Sequence, residues 1–385
     1  MGCGTASLGK MAIDLSHRCW VEIDLKILAE NVKRIRNHLP ANVTYISVVK
    51  ADGYGLGAIG LLPTLRSSGA GIFAVASVAE GIEIRKHEPE LPILLLSATL
   101  PDEEEAVFEH KLTPSLSCPE EIFRYNALAQ RLGRKLPVHL IFDTGMGRLG
   151  NWHPQANTVF NALSKAPSLE IHGFYSHFAS AGDDPEFTKL QRKRLQEIFR
   201  KFHPKAPNIL FHIDNSAGLA TFDSHAGFNA ARIGILQYGI RTNPEPAADR
   251  FDLLPVVSFH SRISLVKTLP KGASISYGRT YTLQRDSRIA VIPAGYADGI
   301  SRFSSNRGQV LVRGRRAPIL GQVTMDNFMI DITDIPDAAC GDRVTLIGRQ
   351  ETEEISINEY SAAAESIPWE SLCAFGKRVT RKYLS

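Results

Sequence analysis

The segment Val48-Val49-Lys50-Ala51-Asp52-Gly53-Tyr54-Gly55 runs an apolar strand into a lysine and then a glycine-rich turn. A lysine desolvated along its stem can lose its proton and form a Schiff base; one at a strand end can equally snorkel to solvent. Asp143-Thr144-Gly145-Met146-Gly147-Arg148-Leu149-Gly150 follows a second apolar stretch. Its glycines allow a tight turn, and Arg148 offers a fork suited to a carboxylate or to a surface ion pair. Phe174-Tyr175-Ser176-His177-Phe178-Ala179 ends another strand in an imidazole, which could pack or catalyse. In His212-Ile213-Asp214-Asn215-Ser216-Ala217-Gly218, Asn215 and Ser216 could cap a helix or bind phosphate at its start. Ala231-Arg232-Ile233-Gly234-Ile235 sets a further arginine beside amides freed by glycine. A phosphate cradle of Ser216, Gly234 and Ile235, a strand-end lysine and a carboxylate-seeking arginine together suggest pyridoxal phosphate and an amino-acid substrate.

These groups need a scaffold that brings many strand ends together. Strand-like segments recur at 43–50, 71–77, 92–97, 111–115 (weakly), 137–143, 168–177, 208–214 and 230–235. Helical stretches separate them. One follows Asp24, a plausible N-cap, with Leu28, Val32, Ile35 and Leu39 at helical spacing. Another covers 186–203, with Leu195, Ile198, Phe199 and Phe202 on one face. About eight β-then-α units match a (β/α)8 TIM-like barrel, whose strand ends hold catalytic groups. A doubly wound sheet is the competing arrangement.

Beyond residue 255 the segments 256–267, 288–293, 309–312, 327–332 and 343–347 are short, β-branched and separated by Gly, Pro or Asp. They predict a mainly antiparallel β domain. The division is therefore a barrel over 20–254 and a β domain over 255–385, with 11–23 able to pack with the latter.

The bulk composition excludes several classes. The 385 residues are 44% apolar and 22% charged, which rules out a disordered chain, a collagen-like fibre and a disulfide-stapled miniprotein. A net charge of +4 is too mild to imply a nucleic-acid surface. Cys3, Cys19, Cys118, Cys340 and Cys373 are scattered, so a reducing compartment fits and neither disulfides nor a zinc knuckle are expected. The longest apolar run, 92–98, is far short of a membrane span, and 1–10 has no secretory pattern. A soluble cytoplasmic protein with no metal is expected, with Met11 as a possible start.

The ordered set VVKADGYG, DTGMGRLG, YSHFA, HIDNSAG, RIGILQYG, ISYGRTY and VTMDNFMID resembles the alanine racemases, barrel-type pyridoxal-phosphate enzymes, over residues 20 to 381. The resemblance implies interconversion of L- and D-alanine, supplying the D-enantiomer for peptidoglycan. It implies that Lys50 carries the cofactor and acts as one of two bases, and that Tyr54, Ser216, Gly234 and Ile235 hold its phosphate with Asn215 beside them. Arg148 would bear on the phenolic oxygen and the substrate carboxylate, and His177 would pack on the ring. Arg232 would face the pyridine nitrogen, oriented by His212. Tyr277 from a second subunit would be the opposite base, with Met325 and Asp326 lining the substrate pocket, so a head-to-tail homodimer is implied.

Three positions depart from the pattern. Ile141 stands where a carbamylated lysine is common, so Arg148 must be positioned by something else. Thr324 replaces a common cysteine, with little consequence expected. Lys377 replaces a tyrosine that touches phosphate, which would either supply a charged contact or widen the pocket toward serine and larger side chains.

Overall fold

The computed structural model describes residues 18–202, 209–222, 227–241 and 250–385. The N-terminal readings, at 1–10 and Met11, lie outside the described residues, as do Cys3 and His203. Two compact units emerge: Asp24–Val256 forms one, and Val257–Tyr383 with the described residues up to Ile23 forms the other.

The first element among the described residues is strand β1 (Cys19–Asp24), which turns at once into helix α1 (Leu25–His38). Asp24 caps α1 by accepting the Ile27 amide at 2.9 Å, and Leu28, Val32 and Ile35 are its buried stripe, as the spacing predicts. The barrel strands follow: β2 (Thr44–Val48), β3 (Ile72–Val75), β4 (Ile93–Leu95), β5 (Ser115–Leu116) and β6 (Leu136–Asp143). A two-residue strand β7 (Asn151–Trp152) lies against β6; then come β8 (Leu169–Tyr175), β9 (Leu210–His212) and β10 (Ala230–Ile233). Helices α2 (Lys50–Tyr54), α3 (Ala58–Ser67), α4 (Val78–His87), α5 (Glu104–Glu109), α6 (Pro119–Arg131), α7 (Ala156–Leu163), α8 (Pro185–Phe202) and α9 (Ser216–Thr221) connect them.

The parallel strands run in the order β4-β3-β2-β10-β9-β8-β6-β5. A parallel bridge between Leu94 and Thr113 joins the two ends. That closure makes a (β/α)8 barrel, as expected, and excludes the doubly wound sheet, which keeps open edges. Each of the eight strand segments read from the sequence corresponds to a barrel strand. The weak one, 111–115, survives only as Ser115–Leu116. Lys111 there is left-handed (φ 50°), and Pro114, with no amide to donate, separates the bridge at Thr113 from the strand proper.

The second unit is a mainly antiparallel sheet. Its strands include β11 (Val257–Arg262) and β12 (Leu265–Leu269), then β13 (Ser274–Ile275) and β14 (Tyr281–Thr282), which pair only with each other as a separate hairpin, then β15 (Ser287–Ile292), β16 (Gln309–Val312), β17 (Arg315–Leu320), β18 (Phe328–Asp331) and β19 (Arg343–Gln350). β1 pairs antiparallel with β11, Ile23 opposite Val257. One strand expected over 256–267 is two, because the chain changes partner there: the Ile263 amide donates to Asp342 and the Ser264 amide to Val291. Ile275, Leu283, Ile289 and Leu320 form a local core beside the hairpin.

Candidate active site

Lys50 follows the C-terminal end of β2 and opens a turn of unusual backbone. Ala51, Asp52, Gly53 and Tyr54 all lie in the left-handed region, with φ of 53°, 53°, 66° and 60°. For the residues other than glycine this conformation costs on the order of 1–2 kcal/mol each. Carboxylates hold it in place: Asp52 accepts the Ala58 amide at 2.7 Å, and Glu80 accepts the Ala51 amide at 2.6 Å. The turn delivers the Tyr54 ring edge-on to Tyr238, centroids 5.7 Å apart. It also brings the Tyr54 hydroxyl so close to Gly234 that a Cβ there would sit 2.2 Å from it. Gly234→Ala is therefore expected to displace Tyr54 and cost about 1–3 kcal/mol of stability, measurable as a lowered urea midpoint. An unchanged midpoint would show that the contact gives way freely.

Across the same rim, the segment that follows β9 meets the end of β10. The Ser216 hydroxyl accepts the Gly234 amide at 3.0 Å and the Leu236 amide at 3.4 Å. Asn215 caps α9, its side-chain oxygen accepting the Gly218 amide at 2.8 Å, so that oxygen serves the helix. A 3-10 turn starts at Ile235 and adds to the amides gathered here. The missing Cβ at Gly234 lets the Tyr54 hydroxyl close on its backbone, so that two hydroxyls and the Gly234 and Leu236 amides gather in one polar cradle that suits a phosphate.

Below this cradle lies a buried polar chain. Arg232, on β10, donates from Nη1 to His212 Nδ1 at 2.6 Å and from Nη2 to the Ser176 and Ile213 carbonyls at 2.7 and 3.1 Å. Nη2 also reaches His177 Nδ1 at 3.3 Å. An arginine only donates, so His212 Nδ1 accepts, its proton sits on Nε2, and Nε2 donates to His139 Nδ1 at 3.2 Å. The tautomers are assigned from this network. Tyr175 stacks flat on His212, centroids 4.8 Å apart at 5°, and its hydroxyl donates to Ser115 at 2.7 Å. Gly173 admits the His139 ring: a Cβ there would come within 2.4 Å of it.

Burial dominates the electrostatics of this chain. It pushes the His139 and His177 pKa values down to about 3 and His212 well below its ordinary value, reinforced in each by the Arg232 charge. Arg232 is brought down to about 10, chiefly by burial and further by Arg148, with Tyr175 and Asp214 opposing; it stays protonated at neutral pH. The charges of Arg232, Arg148 and Lys50 all act on His177, so three cations surround one neutral imidazole. Such a field favours an anionic ligand.

Arg148 sits on a loop shaped by its neighbours. The Asp143 carboxylate accepts the amides of Gly145, Met146 and Gly147 at 2.8 to 3.1 Å. Arg194 donates to the Thr144 carbonyl at 2.7 Å. Ile141, buried in β6, offers no polar support, and among the described residues Arg148 makes no ion pair.

Tyr277, Met325 and Asp326 belong to the β unit. Tyr277 lies between β13 and β14 on a turn with positive φ at Ser276, Gly278 and Arg279, and is 75% exposed. Ser276 anchors that turn by donating to the Gln322 carbonyl at 2.7 Å. Met325 is 53% exposed. Asp326 pairs with Arg378 at 2.8 Å, and Arg378 also grips Asp298 at 2.7 Å. Lys377, beside it, is exposed. His139, Glu80 and the shaping role of Asp143 are the groups that sequence reasoning missed. A histidine in an apolar strand, with glycine inside the next strand, was the available sign of the first.

Comparison with known proteins agrees with this geometry. Residues 23–242 match the family model "Alanine racemase, N-terminal domain", and residues 256–383 match "Alanine racemase, C-terminal domain". The alanine racemase of Halothermothrix orenii is 39% identical over 366 residues, covering 94% of this chain and 96% of the relative. The crystal structure of alanine racemase from Bacillus anthracis with bound L-Ala-P superposes with a TM-score of 0.88 at 32% identity, covering 96% of this chain and 95% of that one. An alanine racemase from Bartonella henselae with covalently bound pyridoxal phosphate gives 0.83 at 29%, covering 95% and 99%. With both halves matched in order along nearly the whole length, this chain belongs to the alanine racemase family, pyridoxal-phosphate-dependent isomerases of L- and D-alanine.

Proposed function

We propose that this protein racemises alanine with Lys50 and Tyr277 as opposed bases and supplies D-alanine for peptidoglycan in the cytoplasm. The observation that carries the reading is the convergence on one barrel rim of the Lys50 turn, the Ser216–Gly234 cradle and the buried Arg232. Lys50 would hold the cofactor covalently; Tyr54, Ser216, Gly234 and Ile235, with Asn215 beside them, would hold its phosphate; His177 would pack on its ring. When bound, the cofactor supplies an electron sink for the charge left at Cα.

This chain's residues do the rest. Arg232, protonated and held by neutral acceptors, would face the ring nitrogen of the bound cofactor and, as a group that only donates, would leave that nitrogen without a proton. That weakens the sink and limits diversion to transamination or elimination. Arg148 binds the substrate carboxylate, on a loop that Asp143 preorganises without a carbamylated lysine. Racemisation needs a proton taken from one face of Cα and returned to the other, so Lys50 and Tyr277 must flank it.

The homodimer belongs to the same proposal. Tyr277 and Met325 are large and exposed, as are Phe303 (64%) and Tyr296 (45%). Their loops are bonded to one another: the Tyr296 amide donates to Thr324, and the Val323 amide to Ser305. Apolar groups grouped this way suit burial against the barrel mouth of a second copy. No helix among the described residues is long and apolar enough to cross a membrane.

The test is chiral chromatography after incubating L-alanine and L-serine with protein and pyridoxal phosphate. D-alanine formed much faster than D-serine is expected, making Lys377 a tolerated charged contact. Comparable D-serine would shift the assignment to a broad-range racemase with an opened pocket, and no product from either would end the catalytic reading.

A further inference from the structure

A run of four left-handed residues directly after Lys50 is strained, since each non-glycine member prefers another region. Its internal bonds (the Gly55 amide to the Ala51 carbonyl at 2.7 Å, the Ala58 amide to Asp52 at 2.7 Å) leave the Ala51 amide to a partner outside the run. One carboxylate reaches the run from the neighbouring β/α unit. Glu80, in the first turn of α4, accepts the Ala51 amide on Oε1 at 2.6 Å. Its Oε2 accepts the Ala76 amide at 2.8 Å and the Ser77 amide at 3.2 Å, just past the end of β3. A single side chain thus ties the residue following Lys50 to the end of the adjacent barrel strand, through bonds strengthened by the carboxylate charge.

We propose that Glu80 is a positioning residue for racemisation: it fixes the peptide that follows Lys50 and so the line along which the lysine nitrogen meets Cα. This rests on the reading of Lys50 as a base. Displacing a catalytic group by about 1 Å can cost on the order of 10²-fold in rate, which is the scale the clamp would protect.

The rival explanation is that Glu80 only caps α4. It does form a capping box there, with the Ser77 hydroxyl accepting the Glu80 amide at 3.3 Å. The two roles separate cleanly. Ser77→Ala removes half the box and leaves the Ala51 contact intact, whereas Glu80→Ala removes both. Glu80→Gln keeps the shape but has one acceptor oxygen for two tasks.

In Glu80→Ala holoenzyme, kcat for alanine should fall roughly 10²-fold with KM within about twofold. The Ala51 amide should exchange with solvent about tenfold faster or more. Glu80→Gln should fall between this variant and the parent. Ser77→Ala should keep kcat within about twofold and leave Ala51 protected. Equal kcat losses in Ser77→Ala and Glu80→Ala, or unchanged Ala51 protection in Glu80→Ala, would overturn the proposal. Amide exchange is read without turnover, so it judges the clamp even if Lys50→Ala were to remain active and the base assignment failed.

Discussion

Replacing Tyr277 with phenylalanine is expected to cut racemisation in both directions by about 10²–10⁴-fold, the usual share of a positioned acid–base group. Solvent deuterium should still enter the α-position of one enantiomer without inversion, because in the two-base proposal Lys50 would still serve its own face of Cα. Lys50→Ala should lose racemisation altogether. Full racemisation in both directions by Tyr277→Phe would refute the two-base assignment. The exposed position of Tyr277, 75% accessible within its own chain, adds a second consequence. If it works on a partner's barrel, mixing the two inactive variants restores intact sites in heterodimers, about a quarter of parental activity at random pairing. Recovery of nothing would place Tyr277 in the site of its own chain or remove it from catalysis.

The second large effect concerns acid. His139 is buried, 4% exposed, and burial followed by the His172 and Arg232 charges pushes its pKa from 6.5 to about 3. Below pH 6.5 the unfolded chain takes up a proton that the folded barrel refuses. The stabilisation is therefore complete above 6.5 and is lost as pH falls toward 3. At pH 5 the loss from His139 alone is about 2 kcal/mol, one and a half pH units at ~1.36 kcal/mol each. His177 and His212 are shifted downward too and add in the same direction. Urea unfolding at pH 7.5 and pH 5 should show this loss, and His139→Gln should show a shallower pH slope than the parent. Equal slopes would mean that His139 is protonated in the fold.

The barrel was readable because its strands are buried on both faces and appear as continuous apolar runs, Ile93–Leu95 being the plainest. β17 is hard to read from sequence because Arg315, Arg316 and Pro318 are exposed along it, leaving only Ala317 and Ile319 as an alternating buried pair, with Leu320 buried on the other face. The division of 256–267 into two strands depends on which partner each half finds, Asp342 or Val291, and no local pattern encodes that choice. The barrel part of the candidate site is legible as motifs because Lys50, His177, Ser216 and Gly234 follow strand ends. The groups that support it are not. Glu80 looks like any helix-capping acid, and His139 acquires its role only through Gly173 and His212, distant in the chain. The left-handed run after Lys50 is likewise invisible beyond its single Gly53.

The pairing of β1 with β11 carries a consequence for synthesis. Ile23 lies opposite Val257, so among the described residues the chain leaves the β unit after β1, builds the whole barrel, and returns to the neighbouring strand. On a ribosome β1 emerges first and finds no partner until Val257 and its successors are made. At about 5–20 residues per second that interval is tens of seconds. The barrel, which holds all its own strands, can complete itself meanwhile, and its completion brings Asp24 and Val256 together, bonded at 2.9 Å. A closure across more than two hundred residues, costly for an open chain, thereby becomes a local event. In that order of folding, the nascent barrel would be the template that delivers both ends of the β unit to each other.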